Sequence, residues 1–136
     1  MSQMSVREIL AAAARFQPNG PAGEDVVDGL ERWLRQTLPG DYREFIIVAN
    51  GGKGTLGTNP VFFERAEQLL AWNDQLGGLV TDFVLIGSDC IGGGYFLHRR
   101  TGLRSVVHME LIDLDLGRVI QRGATFTEFL LGLVAS

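Results

Sequence analysis

Short β-rich runs with little chain between them dominate the second half of the sequence. The runs are DFVLIGSD (82–89), GYFLHR (94–99) and RSVVHME (104–110), with GRVIQRG (117–123) as a candidate for one more. A parallel pair of strands needs a crossover of about a dozen residues or more, and these connections are too short for one. The pattern therefore predicts a sheet that is mainly antiparallel.

Helical periodicity marks most of the other segments. The predicted helices are 5–16, 24–37, 41–49, 65–76 and 125–134. Ser5 with Glu8, and Thr125 with Glu128, have the spacing of capping boxes at the first and last of these helices. A short strand is predicted at 61–63, and the Pro/Gly stretch QPNGPAG (17–23) is predicted to be a loop.

This order of elements predicts the fold class. Helices first, strands next and one closing helix are typical of an α+β protein, with the N-terminal helices and the C-terminal helix packed on a mainly antiparallel sheet. The length of 136 residues suits one core, so we expect a single domain over 1–136. Within it, residues 1–23 are expected to form a peripheral helix and loop.

Charge and composition limit the possible partners. The formal net charge is −4 and the isoelectric point about 5.1, which argues against a general nucleic-acid binder and is compatible with a basic protein partner. The sequence has no apolar run long enough to span a membrane, and the start MSQMSVREIL does not resemble a signal peptide. Cys90 is the only cysteine. We therefore expect a cytoplasmic protein.

The segment NGGKGTLG (50–57) raises the question of a phosphate-binding loop. Its Gly-Lys pair is followed by Gly54 where such a loop has Ser or Thr, and a helix, not a strand, precedes it. We predict instead that Asn50 and Gly51 close the helix in the left-handed conformation. Gly54 and Gly57 are interpreted as keeping the following loop supple.

No other motif predicts catalysis. His98 and His108 are read as two partly exposed strand histidines that would not share a metal ion, because the chain has no CxxC, HxxxH or HExxH. GSDCIG around Ser88 and Cys90 is not a nucleophile elbow, and Cys90 is read as a small buried hydrophobe. We therefore expect no catalytic residue, metal or cofactor.

Three further clusters have structural readings. The glycines at 92–94 are predicted to serve a turn, a bulge or a close backbone approach, with a small anion nest as the weaker alternative. Asp113 and Asp115 would share one side of an extended, solvated edge. Arg99, Arg100 and Arg104 are read as a basic, solvated hairpin tip.

Three stretches resemble one protein family. LPGDYREFIIVANGG (38–52) is similar to the LP-x-DY-x-x-F…NGG signature of the SUKH superfamily, which includes the fungal Smi/Knr cell-wall regulators and many bacterial proteins. FVLIGSDCIGGGYFL (83–97) and the closing TFTEFLLGLV resemble two further stretches of that family, so the resemblance covers about residues 24–134. Cys90-Ile91 stand where a small residue or glycine is common, and His98 stands where an aspartate is frequent.

The resemblance implies a fold and a non-enzymatic role. It implies helices packed on a mainly antiparallel sheet and a protein-binding module. Bacterial members are typically immunity proteins that neutralise a cognate polymorphic toxin domain, often a nuclease, and fungal members act as interaction hubs. The positions that match the family motifs, and to which it assigns structural roles, are Leu38, Pro39, Tyr42, Phe45, Asn50, Gly51, Gly52, Gly87, Phe126 and Phe129.

Acidic residues are the predicted partner-binding set, on the view that the partner is basic. The candidates are Asp41, Glu44, Asp89, Gly93, Asp113 and Asp115. A further hypothesis has the segments around Gly54 and Gly93 forming a concave rim. The alternatives are a regulatory scaffold domain without a toxin partner and, less favoured, an enzyme or small-ligand binder using Cys90, His98 or the glycine loops. Both a monomer and a homodimer are compatible with the sequence.

Overall fold

The computed structural model describes residues 4–76, 82–112 and 116–136. In these residues seven strands form one sheet in the order β1-β2-β3-β4-β5-β6-β7, and every neighbouring pair is antiparallel. The strands are β1 Phe16–Pro18, β2 Gly52–Leu56, β3 Asn59–Phe63, β4 Phe83–Ser88, β5 Gly93–His98, β6 Val106–Glu110 and β7 Ile120–Gly123. The helices are α1 Val6–Ala12, α2 Glu24–Leu34, α3 Gly40–Val48, α4 Ala66–Asp74 and α5 Phe126–Val134.

Helices from both ends of the chain pack on this sheet, so the predicted α+β fold is confirmed. Their common core is aromatic: the rings of Phe45 and Phe126 lie 5.0 Å apart between centroids, and those of Phe45 and Phe63 lie 5.2 Å apart. Tyr42 and Phe129 complete the cluster, and all five side chains are buried. None of the helices in the described ranges has the length and apolar character needed to cross a membrane.

The opposite face of the sheet carries a smaller core. Leu85, Phe96, Val107 and Met109 form it, and they alternate along their strands with residues of the large core. Trp72 and Leu76, from the end of α4 and just after it, pack against this smaller core. Burial on both faces explains why β4, β5 and β6 read as nearly continuous apolar runs.

The N-terminal part is not peripheral, contrary to the prediction. Val6 and Ile9 of α1 are buried in the large core. The predicted loop 17–23 begins with part of a strand, because Phe16–Pro18 pairs with β2 in the register Phe16↔Gly54. The expected first helix also ends early, at Ala12. A Pro/Gly stretch can still supply a short edge strand, and local propensity alone does not reveal the neighbour that pairs with it.

The glycine segment after α3 is a helix cap followed by a strand. Asn50 and Gly51 have φ values of 48° and 83°, so the predicted left-handed closure is confirmed. Gly54 does not lie in a supple loop but inside β2, with a φ of 139°. A side chain on it would overlap the carbonyl oxygen of Arg15. Glycine is therefore required by the close approach of the segment leading into β1.

The side chain of Asn50 is also hydrogen-bonded to the first residues of α4. Its side-chain oxygen accepts a hydrogen bond from the N–H of Ala66 at 2.9 Å, and its amide donates to the carboxylate of Glu67 at 2.7 Å. One buried side chain thus joins the end of α3 to the start of α4. The predicted end of α4 at Gly77-Gly78 lies outside the described residues.

The other helix boundaries follow local chemistry. Ser5 and Glu8 form the predicted capping box of α1 in full. At α5, Thr125 accepts from the N–H of Glu128, but the Glu128 carboxylate accepts from Ala124 and not from Thr125. The helix predicted over 24–37 ends at Leu34, because Arg35 takes the left-handed conformation with a φ of 58°.

Candidate functional site

Two isoleucines stand out of one end of the sheet. Ile91, in the β4–β5 loop, is 81% exposed, and Ile112, just after β6, is 94% exposed. The β5–β6 ladder ends with Gly93 beside Glu110, and the N–H of Leu111 then donates to the carbonyl of Gly92 at 2.8 Å. Ile91 and Ile112 therefore leave the ladder at the same end, one residue beyond this bond. We call this pair the apolar tip.

The loop that carries Ile91 is held by the carboxylate of Asp89. Its Oδ1 accepts from the N–H groups of Ile91 at 2.9 Å and Gly93 at 2.8 Å. The backbone N–H of Asp89 donates to the carbonyl of Gly93 at 3.0 Å. An aspartate that accepts from the backbone ahead of it is a local loop-forming device. The exposed isoleucine thus sits on a loop that is already ordered.

A histidine supports the same aspartate from β6. His108 Nε2 lies 2.9 Å from Asp89 Oδ2, and the two side chains are only 12% and 17% exposed. Partial burial raises the pKa of Asp89, but the hydrogen bonds from His108, Ile91 and Gly93 outweigh it, so the net shift is downward. The charged carboxylate is therefore the form that the loop stabilises.

Tyr95 lies beneath this pair. Its ring centroid is 5.5 Å from that of His108, and it packs on Phe129 of the large core at 4.8 Å. Burial raises the pKa of the Tyr95 hydroxyl, the nearby charge of Asp89 adds to the rise, and Arg122 acts in the opposite direction. The Asp89–His108 pair thus connects the exposed loop to the core.

Gly93 leaves room for the Asp89–His108 pair. A side chain on it would overlap His108 Nε2 and Asp89 Oδ2. The predicted turn with positive φ is confirmed at Gly92, which has a φ of 102°. The close approach at Gly93 comes from side chains and not from another backbone segment. Gly93 itself is buried, so it is not placed to touch a partner directly.

Cys90 is exposed, and its interpretation as a buried hydrophobe is wrong. It sits in the loop with a φ of 67°, a conformation that favours glycine. Its N–H donates to Ser88 Oγ at 2.9 Å.

The two histidines have different contact partners and lie apart in the sheet. His108 pairs with Asp89, whereas His98 stacks on Phe83 at the other end of β5, with 4.6 Å between centroids. Both are half-buried, as expected. Across the described ranges, no three His, Cys, Asp or Glu side chains are grouped to hold a metal ion.

Two more of the predicted partner-binding acids, Asp41 and Glu44, accept hydrogen bonds within the fold. Asp41 is partly buried, and its Oδ2 accepts from Thr127 N–H at 2.8 Å and Thr127 Oγ1 at 2.9 Å, which joins α3 to the first turn of α5. Glu44 accepts from the N–H of Arg7 at 3.0 Å. Asp41 is therefore partly buried and hydrogen-bonded within the fold, and its role in partner binding stays a prediction. Asp113 and Asp115 lie outside the described residues.

The predicted basic hairpin tip is not a free cluster. Arg99 turns back and donates to the carbonyl of Leu34 at 2.8 Å and to Gln36 Oε1 at 2.9 Å. Arg100 pairs with Asp82 at 3.1 Å, and Arg104 Nε donates to the carbonyl of Thr101 at 2.8 Å. These arginines bind the hairpin to α2 and to its own turn.

The hypothesis of a rim formed by Gly54 and Gly93 does not fit the sheet. Their strands β2 and β5 are separated by β3 and β4, which corresponds to about 14 Å across the sheet. Gly54 faces the backbone before β1, and Gly93 faces the Asp89–His108 pair. Substitutions at these positions would test folding and not a surface.

The apolar tip is the feature that sequence reasoning missed. In the sequence, Ile91 stands out only as a departure from the family pattern, and nothing distinguishes Ile112. The available signal was an isoleucine inside a turn of polar residues and glycine, SDCIGGG, where no neighbouring periodicity would bury it. No protein-family model matches the chain, and no curated protein matches it significantly. The SUKH resemblance therefore stays a prediction that rests on the quoted motifs.

Proposed function

We propose that this protein is a protein-binding domain that docks on its partner through the apolar tip, Ile91 and Ile112. The observation that carries the proposal is the exposure of both side chains, 81% and 94%, on segments that are hydrogen-bonded in place. Isolated exposed apolar residues are common, but two that leave one ladder together form a patch that a partner can cover. An ordered loop also loses little conformational entropy on binding.

The charges beside the tip favour a basic partner. Asp89 lies at the base of the loop, the exposed Glu110 lies at the end of β6, and Asp113 and Asp115 follow Ile112 in the sequence. The chain as a whole carries a net charge of −4. An apolar pocket rimmed by lysine and arginine would complement this surface, and opposite charges would speed the encounter.

We further propose that the partner is a toxin domain and that this protein is its cytoplasmic immunity protein. The SUKH resemblance supports this role, and the acidic balance fits it. A nuclease domain is a suitable target because it needs a basic surface to bind nucleic acid. Binding of an acidic protein over that surface would block substrate access without any chemistry by the inhibitor.

The test is a calorimetric titration with substitutions at the tip. The protein titrated is the C-terminal domain of the product of the gene directly upstream. The variants are Ile91→Glu and Ile112→Glu. Val134→Glu is the matched control, because Val134 is an exposed aliphatic residue near the end of α1 and β2. We expect tight one-to-one binding that abolishes toxicity, weakened at least about 30-fold by each tip variant and unchanged by the control.

Two results would count against the proposal. Binding that is equally tight for wild type and both tip variants would place the interface elsewhere. A neighbouring domain that is not toxic, or that does not bind, would reject the immunity role. The regulatory scaffold would then be the better explanation, and the same variants would be tested on the cellular partner.

A further inference from the structure

A second exposed apolar surface, a groove, lies between α2 and α4. It is a groove of about 270 Å³, and its apolar lining comes from Val26, Leu30, Trp33, Ala66 and Leu70. Leu70 is 46% exposed, and Val26 and Trp33 are only partly buried. Helices form this groove, whereas strand loops carry the apolar tip.

Gly29 keeps the groove open. It lies in the middle of α2 and lines the groove, and a β-carbon built on it would meet no atom within 4 Å. Its φ is not positive, so the backbone does not require glycine there. Glycine inside a helix costs about 0.5–1 kcal/mol relative to alanine. Gly29 is therefore a groove-lining position where a larger side chain would suit the helix and would occupy space that glycine leaves empty.

The two charged residues that line the groove are both acidic. Asp25 and Glu67 are its charged lining residues, and both are exposed. Glu67 is held in place by the amide of Asn50 at 2.7 Å. An apolar floor with two acids at its edge complements aliphatic side chains flanked by lysine or arginine.

The volume of the groove favours a helix of a partner protein over a small molecule. Sites for small molecules usually enclose about 300–1,000 Å³, and this open groove lies just below that range. A row of apolar side chains from a helix needs less enclosed space, because the rest of the helix stays outside.

We propose that the α2–α4 groove binds a basic amphipathic helix of a partner protein, with aliphatic side chains against Trp33 and Leu70 and cationic side chains near Asp25 and Glu67. This is a docking surface additional to the apolar tip and independent of it. Filling the groove at Gly29 is expected to stabilise the protein and to prevent binding, because the position serves the ligand and not the fold.

The test uses a synthetic Leu/Lys amphipathic helical peptide and a Leu/Glu peptide of the same pattern. Trp33 fluorescence reports binding in a Trp72→Phe background, since the chain has only these 2 tryptophans. We expect a saturable change with the Leu/Lys peptide and at least tenfold weaker binding of the Leu/Glu peptide. Added salt should weaken the first interaction.

Two matched substitutions decide the site. Gly29→Leu is expected to abolish the fluorescence response and to raise the melting temperature. Gly132→Leu, at another helical glycine with no atom within 4 Å of a built β-carbon, should leave binding unchanged. Ile112→Glu should also leave it unchanged, so failure at the groove and failure at the apolar tip are distinguishable. Equal binding by Gly29→Leu and wild type, or no difference between the two peptides, would overturn the proposal.

Discussion

The glycines within 51–57 face the backbone of other segments, whereas Gly93 and Gly94 face side chains. Gly51, Gly52, Gly54 and Gly57 all have positive φ values, and a β-carbon on any of them would approach a backbone carbonyl oxygen of another segment. Gly93 and Gly94 have ordinary φ values. A β-carbon there would meet His108 and Asp89, or Leu111 and Leu85.

The difference shows that two segments equally rich in glycine can need it for different physical reasons. The first segment needs glycine for backbone conformation and for strand approach, so its role is to build the sheet. The second needs glycine for space, so its role is to accommodate the hydrogen-bonded Asp89–His108 pair beneath an exposed loop. A β-carbon that overlaps a backbone carbonyl can be accommodated only by moving the backbone, whereas an overlapped side chain can rotate away. Substitutions in the two segments should therefore differ in cost.

The largest effect is expected for Gly54→Ala. The substitution combines a φ of 139° with an overlap on the Arg15 carbonyl, so we expect a loss of about 3 kcal/mol or more in the free energy of unfolding. Urea denaturation measures it, with Gly132→Ala as the control on an open helix face. A loss below 1 kcal/mol would mean that β1 separates from β2 easily.

Gly93→Ala should cost less, about 1–3 kcal/mol, because it displaces side chains and not backbone. The same substitution in a His108→Ala background should cost less still, since removal of the imidazole vacates the space. Urea denaturation of the four proteins gives the coupling energy. Additive losses would show that Gly93 and His108 do not compete for the same space.

The Asp89 carboxylate should make stability depend on pH. Its pKa is lowered in the folded protein from the usual 3.8, so its stabilising effect is fully present above that value and is lost as the pH falls through the folded pKa. We expect Asp89→Asn to be about 1 kcal/mol less stable than wild type near pH 7. The difference should shrink below about pH 4. Denaturant curves from pH 2 to 7 measure it (roughly the range of the transition), and a constant difference would contradict the assignment.

The smallest effect is expected for Cys90→Gly, with the opposite sign. Cys90 has a φ of 67° and an exposed side chain, so glycine relieves strain while little packing is lost. Greater freedom of the unfolded chain offsets part of the gain, which leaves about 0.5 kcal/mol. Thermal unfolding measures it. A lower melting temperature would show that the thiol makes a stabilising contact.

Little of the candidate site could be predicted. The sequence presents Asp89 as a partner-binding candidate, and that role stays a prediction. Its structural partner His108 is 19 residues away, and the pairing depends on the β4–β5 and β5–β6 registers. The hydrogen bonds of Asp41 are equally hidden in the sequence, because their donor Thr127 is 86 residues away. The exposure of Ile91 and Ile112 depends on the β5–β6 register, which places both just beyond the end of the ladder, whereas isoleucine is usually buried.

The sequence by itself determined what depends on neighbouring residues. Helical periodicity, the Ser5 cap, the Asn50–Gly51 closure and the short connections were enough for an α+β fold with an antiparallel sheet, because these signals act within a few residues. Only the tertiary structure decided that Phe16–Pro18 is a strand, that Gly54 lies inside β2 and that Asp89 pairs with His108. Each of these depends on a backbone or side chain far along the chain, and long-range contacts leave no periodic trace in the sequence.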